Sequence, residues 1–251
     1  MSVTIKSARE IELMREAGRI LAKVHEELEK AIHPGMSTLD IDRLGEKLIR
    51  EFGCVPSFKN YNGYPASICV SVNDEVVHGI PNKHHIIKEG DIVSLDAGVI
   101  YKGYHSDAAR THAVGAISPE AQKLIDVTRQ SFFEGIKFAK AGNHLNDISA
   151  AIQKYAESFG FGVVRDLVGH GIGTSLHEDP QIPNFAQKRR GIRLVPGMTL
   201  AIEPMITMGR PEVCWLDDDW TVVTEDESLA AHYENTILIT EGEPEILTFT
   251  K

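Results

Sequence analysis

Cysteine is scarce in this chain: Cys54, Cys69 and Cys214 are all there is among 251 residues. Three scattered thiols make neither a disulfide framework nor a thiolate zinc knuckle, and they fit a reducing compartment. No run of about 18 apolar residues occurs, which leaves no candidate membrane span. Positive charge is also short, with 26 Lys and Arg against 36 Asp and Glu and a formal net charge of −10. That balance excludes broad electrostatic engagement of nucleic acid. The one basic run, KRRGIR at 188–193, reads as a solvated turn. The opening MSVTIKSARE is polar and runs straight into a helical pattern, so no signal peptide is expected. A cytoplasmic location and no contact with membranes follow as expectations. No low-complexity linker divides the chain, and 251 residues suffice for one large domain.

What is present is periodicity, and it occurs twice. Residues 7–32 predict an amphipathic helix, opened by the capping pair Ser7 and Glu10 and closed at His33-Pro34-Gly35. A second helix is expected over about 38–52. Strands follow at about 67–72, 92–100 and 107–115, with a hairpin-like region carrying His78. The pattern then restarts at Ser118-Pro119, a cap followed by proline at the first helical position. Helices to about 140 and over 146–159 precede strands at about 163–168, 198–207, 220–224 and 233–240. An offset of about 107 residues, obtained by subtracting the aligned positions, superposes Gly35 on Gly142, Asp40-Ile41 on Asp147-Ile148, Phe52-Gly53 on Phe159-Gly160 and Gly90 on Gly197. The expectation is an α+β fold with an internal pseudo-two-fold repeat, halves at about 1–115 and 116–251, helices outside and sheet inside. Any site would lie between the halves.

The same offset places Asp96 on Glu203. Asp96 lies in IVSLDAGVI, Glu203 in TLAIEPMI and Glu234 in YENTILIT, while His170 is bracketed by glycine in GHGIG. Isolated charges in such surroundings are costly unless they are paired or hold a cation. Asp107 stands eleven positions after Asp96, and a turn through Gly98 and Gly103 would let the two carboxylates face one another. Four carboxylates and one imidazole suit two divalent ions of Mn, Fe, Co or Zn better than a thiolate-held structural zinc. Two adjacent metals can activate a water and polarise a carbonyl together. Glu203 precedes Pro204, which suits the edge or bulge of a strand. Of the remaining histidines, His84 and His85 fit a solvated loop. His78 in VVHGIPN and His177 in SLHEDP lie in turn-rich segments of the kind that carry functional groups.

Several stretches together closely resemble the type I methionine aminopeptidases of the pita-bread metallopeptidase family. They are NYNGYPASICVSVNDEVVHGIP (60–81), DIVSLDAGVIYKGYHSDAARTHAVG (91–115), GHGIGTSLHEDPQIPN (169–184), PGMTLAIEPMI (196–206) and DWTVVTEDESLAAHYENTILIT (219–240). The resemblance spans essentially the whole chain. It implies a pita-bread catalytic domain with antiparallel sheet covered by helices. It implies two divalent metal ions, Fe(II), Mn(II), Co(II) or Zn(II), with Asp107 and Glu234 shared between them. Asp96 would complete one metal, and His170 with Glu203 the other. It further implies hydrolysis of the first peptide bond by a metal-activated water, with Glu203 moving the proton. His177 would stabilise the oxyanion and His78 would contact the scissile amide nitrogen. Tyr61, Tyr64, Cys69 and Trp220 would surround the methionine side chain. The substrates implied are nascent-chain or peptide N-termini with a small second residue, met by a monomer that touches the ribosome only transiently.

The chain departs from that family in places. Phe58 and Leu176 stand where relatives often carry a cysteine and an aromatic, and the stretch GRPEVCWLDDD before Trp220 is acidic where some bacterial relatives carry a basic loop. Neither an N-terminal zinc-finger extension nor a long insertion between His170 and Glu234 is read. Two alternatives remain open at this point. A proline-specific relative would be expected to carry a large N-terminal domain, and a non-catalytic binding protein would be expected to have lost metal ligands. The second residue is Ser2, so loss of Met1 is itself expected. An intact mass that retains Met1 in protein purified from its own host would contradict that expectation.

Overall fold

The structure, a computed structural model, describes residues 3–249. Met1 and Ser2, on which the expected processing falls, lie outside the described residues. Four helices form where the caps and periodicity place them: α1 (Ala8–Ala31), α2 (Thr38–Glu51), α3 (Pro119–Ile136) and α4 (Leu145–Glu157). At the start of α1, Glu10 N–H donates to Ser7 Oγ at 3.4 Å and Ser7 N–H donates to Glu10 Oε2 at 2.7 Å. Ser37 and Asp40 repeat this reciprocal cap on α2, and Asp147 accepts from His144 N–H at the start of α4. Helix α3 stops at Ile136, short of the expected 140. Its last turn tightens there, with Phe138 N–H bonding Gly135 and Ala139 N–H bonding Ile136.

The first half contains β1 (Val55–Pro56), β2 (Ile68–Val72), β3 (Glu75–Val77), β4 (Ile92–Tyr101) and β5 (Tyr104–Ala113). Strand β4 pairs along its whole length with β5, and with β2 and β1 over successive stretches. The turn expected to begin at Gly98 falls instead at Lys102–Gly103, both at positive φ, and Gly98 sits mid-strand opposite Asp107. Gly98 serves packing: a Cβ there would come within 2.8 Å of Phe58 Cε1 and Ser57 Cβ. The second half contains β6 (Gly162–Val163), β7 (Gly169–Gly171), β8 (Glu178–Ile182), β9 (Thr199–Ile202), β10 (Met205–Thr207), β11 (Val213–Trp215), β12 (Val222–Thr224), β13 (Ala230–His232), β14 (Asn235–Leu238) and β15 (Glu245–Ile246). A five-stranded sheet runs β15-β14-β9-β7-β8, while β13-β10-β6 and β11-β12-β3 form smaller ones.

Several expected strands are shorter than their apolar runs. The run 163–168 keeps only the end of β6, 198–207 breaks at Glu203-Pro204, and 233–240 keeps only β14, with Tyr233-Glu234 separating it from β13. Proline lacks the N–H a ladder needs, which accounts for the first of these breaks within a run. The hairpin-like region is also different, because β3 leaves β2 and pairs with β12.

The repeat extends to individual hydrogen bonds. Gly35 N–H donates to Ile87 O and Gly142 N–H to Leu194 O; Ile87 N–H donates to Met36 O and Leu194 N–H to Asn143 O. The bridges Ser37↔Ile86 and His144↔Arg193 stand at the same spacing. Glycines occupy the matching left-handed turns, with φ of 95° at Gly35 and 92° at Gly142.

The halves meet along β5 and residues 232–236. Ala109 and Glu234 pair directly, N–H to O, at 3.4 and 3.0 Å. Two residues to either side, a threonine hydroxyl replaces the direct bond. Thr236 Oγ1 accepts from Asp107 N–H and donates to Asp107 O, and Thr111 Oγ1 does the same for His232. This seam carries Asp107 and Glu234 side by side. Arg110 ties it from behind: its guanidinium donates to Glu234 O, to Ala109 O at 2.7 Å, to Asn235 Oδ1 at 2.6 Å and to Thr248 O at 3.2 Å. Its charge lies 4.4 Å from the Tyr233 ring centre. Arg110→Met strands these acceptors and is expected to lower unfolding stability by roughly 2–3 kcal/mol, read from denaturant melts. An unchanged midpoint would remove Arg110 from the account of the seam.

Glu75 gives a second stability prediction. Burial, with repulsion from Asp74 and Asp218, pushes its carboxyl up to about 7, although Val72 N–H donates to it at 2.8 Å. A folded value above the unfolded 4.5 means the folded state holds the proton more tightly, so stability falls as pH rises through that window. Glu75→Gln keeps an acceptor and removes the charge. It is expected to raise stability at pH 8 by about 2–3 kcal/mol and to have little effect at pH 5. Equal melting shifts at the two pH values would contradict this.

Candidate metal and substrate site

Against the seam lies a cavity of ≈ 200 Å³. Asp96 enters it from β4 and Asp107 from β5. His170 comes from β7, Glu203 from the break between β9 and β10, and Glu234 from the break between β13 and β14. The strand breaks have a physical consequence. A regular strand alternates its side chains between faces, whereas an interruption re-aims one of them. Ligand atoms of Asp107, His170 and Glu234 all lie within 4.8 Å of one another, and all three residues are buried. His170 Nε2 stands 3.6 Å from Glu203 Oε1 and 3.9 Å from Asp107 Oδ2. His170 Nδ1 lies 2.8 Å from Gly171 O. A carbonyl only accepts, so the ring proton is on Nδ1 and the Nε2 lone pair faces the carboxylates. That is how metal-ligating histidines are oriented.

The electrostatics point the same way. Burial pushes Asp96 up to about 7. Burial holds Asp107 and Glu234 well above the usual carboxylate range, reinforced by repulsion from Asp96 and Glu203 on Asp107 and from Asp107 and Glu203 on Glu234, and burial with repulsion from Asp96 does so for Glu203. Burial lowers His170 to about 3, leaving it a neutral ligand. Asp96 Oδ1 and Asp107 Oδ1 are buried without a hydrogen-bond partner. Oxygen donors, one imidazole and two orphaned carboxylate oxygens fit hard or borderline divalent cations, which would relieve the repulsion.

Beside this polar wall the cavity is apolar. Tyr64 donates its hydroxyl to Gly79 O at 2.9 Å and meets Trp220 edge-on at 5.1 Å between ring centres. Cys69 is buried in strand β2, opposite Asp96 in the register, and burial pushes its thiol far up, so it acts as a neutral, polarisable wall. Phe58 and Leu176 are buried in the same cluster, so the two departures noted in the sequence shape this wall. His78 holds a left-handed φ of 60° and is lowered to about 4 by burial. His177 Nδ1 lies 2.8 Å from Tyr61 Oη, and its ring sits 4.2 Å from that of His170.

Each residue singled out from the sequence lines this one cavity: Tyr61, Tyr64, Cys69, His78, Asp96, Asp107, His170, His177, Glu203, Trp220 and Glu234. The sequence did not single out Asn62, Val77, Leu167, Val168 or Met205, which also line it. Nor did it single out the role of His232, whose Nε2 lies 3.8 Å from Glu203 Oε2. The spacing of two from Glu234 was the available signal for His232; the apolar residues gave none.

Carboxylates crowded this closely around a neutral imidazole stay ionised only beside a multivalent cation, and they stand at the seam of a duplicated α+β fold. These features define a metallohydrolase of the pita-bread class. Residues 12–241 match the model of metallopeptidase family M24, and the chain belongs to that family. A methionine aminopeptidase of Clostridium acetobutylicum is 57% identical over 246 residues, covering 98% of both chains. The crystal structure of a methionine aminopeptidase from Thermotoga maritima superposes with a TM-score of 0.97 at 47% identity, covering 99% of this chain and 100% of that one. A prolidase from Pyrococcus furiosus shares the fold, with a TM-score of 0.79 at 23% identity, and this chain covers 66% of its length. Divalent metal use and action on peptide or protein N-termini come with the family and its aminopeptidase relatives.

Proposed function

We infer that this protein removes the initiator methionine from new polypeptides whose second residue is small, by hydrolysing the first peptide bond. The observation that carries this reading is the single cavity in which a carboxylate–imidazole cluster adjoins an aromatic, sulfur-lined wall. A thioether matches such a wall in size and polarisability. Full-length similarity to methionine aminopeptidases supports it, whereas likeness to prolidases extends to the fold alone. In this reading two divalent metals would be held by Asp96, Asp107, His170, Glu203 and Glu234, with Asp107 and Glu234 contributing to both, Asp96 to one, and His170 with Glu203 to the other. When bound, the metals supply Lewis acidity for a water nucleophile and for the scissile carbonyl.

The chain's own groups supply the rest. Glu203 takes the proton from the nucleophile and delivers it towards the leaving amine. His177, neutral because burial lowers its pKa, donates to the developing oxyanion. His78 contacts the scissile amide nitrogen, its backbone fixed by the turn after β3. Tyr61, Tyr64, Cys69 and Trp220 enclose the methionine side chain. The chain acts as one catalytic domain with halves at about 1–115 and 116–251. It works as a cytoplasmic monomer that meets the ribosome transiently. Fe(II), Mn(II), Co(II) and Zn(II) all suit the donors.

Metal removal tests the chemistry. Dialysis against a chelator should abolish methionine release, and anaerobic return of one of these ions should restore it. Undiminished turnover by verified metal-free protein would contradict the proposal.

A further inference from the structure

The segment before α1 crosses the loop that presents His177. Lys6 N–H donates to Gly197 O at 2.8 Å, fixing the backbone of the segment. Gly197 has φ +89°, and a Cβ there would come within 2.7 Å of Ile5 Cγ2, so the crossing is close. From this anchor Lys6 Nζ reaches Glu178 Oε2 at 2.6 Å, with side chains 5% and 11% exposed. Thr4 Oγ1 donates to the same oxygen at 2.5 Å, and Lys6 Nζ also donates to Thr4 Oγ1. The other carboxylate oxygen, Glu178 Oε1, accepts from Ser175 N–H at 3.3 Å. Glu178 thus ties its own loop together on one side and the N-terminal segment on the other. Gly173 completes the enclosure, since a Cβ there would come within 2.5 Å of both Glu178 Oε1 and Lys6 Cε.

Glu178 directly follows His177 and opens β8, and the β7–β8 register shifts between His170 and Gly171. Backbone bonds to Thr199 and His105 hold Ile172 and Gly173, but the strand ladder does not reach residues 174–177. A buried ion pair adds little net stability over a well-packed apolar pair, but removing one partner leaves a stranded charge. What such a pair fixes well is a conformation. We propose that Lys6 and Thr4 are positioning residues for His177, holding its loop through Glu178. The proposal rests on the role given to His177 above.

The test compares wild type, Lys6→Met, His177→Ala and the double variant, each metal-loaded and assayed for methionine release from Met-Ala-Ser. Lys6→Met is expected to lower kcat by ~10–100-fold, because a catalytic donor displaced by about 1 Å loses that much. KM and metal content should stay near wild type, and Lys6→Arg should restore most of kcat. In the His177→Ala background Lys6→Met should cost nothing further, since the group it positions is gone. Thr4→Val, which keeps the ion pair and folds more safely, should show the same pattern at roughly 5-fold. Equal kcat losses in both backgrounds, or an unchanged kcat in Lys6→Met or Thr4→Val, overturn the clamp and leave His177 in place. Wild-type kcat in His177→Ala overturns the reading of His177 itself.

Discussion

His170→Ala is expected to release at least one metal ion and to lower turnover by ~10³-fold or more, with the fold retained. The imidazole faces two carboxylates at 3.6 and 3.9 Å, and its proton is committed to Gly171 O. Its lone pair is thereby turned toward those carboxylates, an arrangement that suits a cation between them. Glu203→Ala should behave alike, because Glu203 is placed both as ligand and as proton carrier. Metal analysis separates this account from a structural one. If His170 only packed between carboxylates, its loss would change stability and leave bound metal unchanged. Full metal occupancy with wild-type turnover in either variant would sink the metal assignment.

The next largest effect belongs to His177. Burial raises the Tyr61 phenol, which keeps its proton, and its hydroxyl stands 2.8 Å from His177 Nδ1. In the tautomer the proposed role needs, Tyr61 donates to Nδ1 and the imidazole proton sits on Nε2 as a hydrogen-bond donor. A neutral donor of this kind stabilises charge that appears only in the transition state, so its loss falls on kcat. His177→Ala is expected to lower kcat by ~10²–10³-fold with KM and metal content retained. Tyr61→Phe frees the tautomer and should cost less. A His177→Ala variant whose KM rises while kcat holds would recast His177 as a binding group.

The sequence carried much of this site because its chemistry is local. Asp96, Glu203 and Glu234 were conspicuous as charges in apolar runs, and His170 was conspicuous between glycines. The repeat was legible because its glycines occupy left-handed turns that other residues adopt at a cost, so matching turns keep matching glycines. Strand limits were less legible. Pro204 signalled the break at Glu203, but nothing local marked the one at Tyr233-Glu234, where the chain leaves one sheet for another. Gly98 resembled a turn residue and is a packing residue, a difference set by Ser57 and Phe58 some forty positions away. The seam, with its threonine hydroxyls and Arg110, depends on partners more than 120 positions apart. The clamp of Lys6 on Glu178 spans 172 positions and was equally invisible.

Every role given to these residues depends on the cleavage itself. The most direct measurement is free methionine released from Met-Ala-Ser, run beside Met-Pro-, Met-Lys- and Leu-Ala-Ser peptides, with protein loaded anaerobically with Fe(II), Mn(II) or Co(II). Release is expected from peptides with a small second residue, with no turnover of Met-Lys- and no leucine from Leu-Ala-Ser. Silence on every peptide despite bound metal would contradict it.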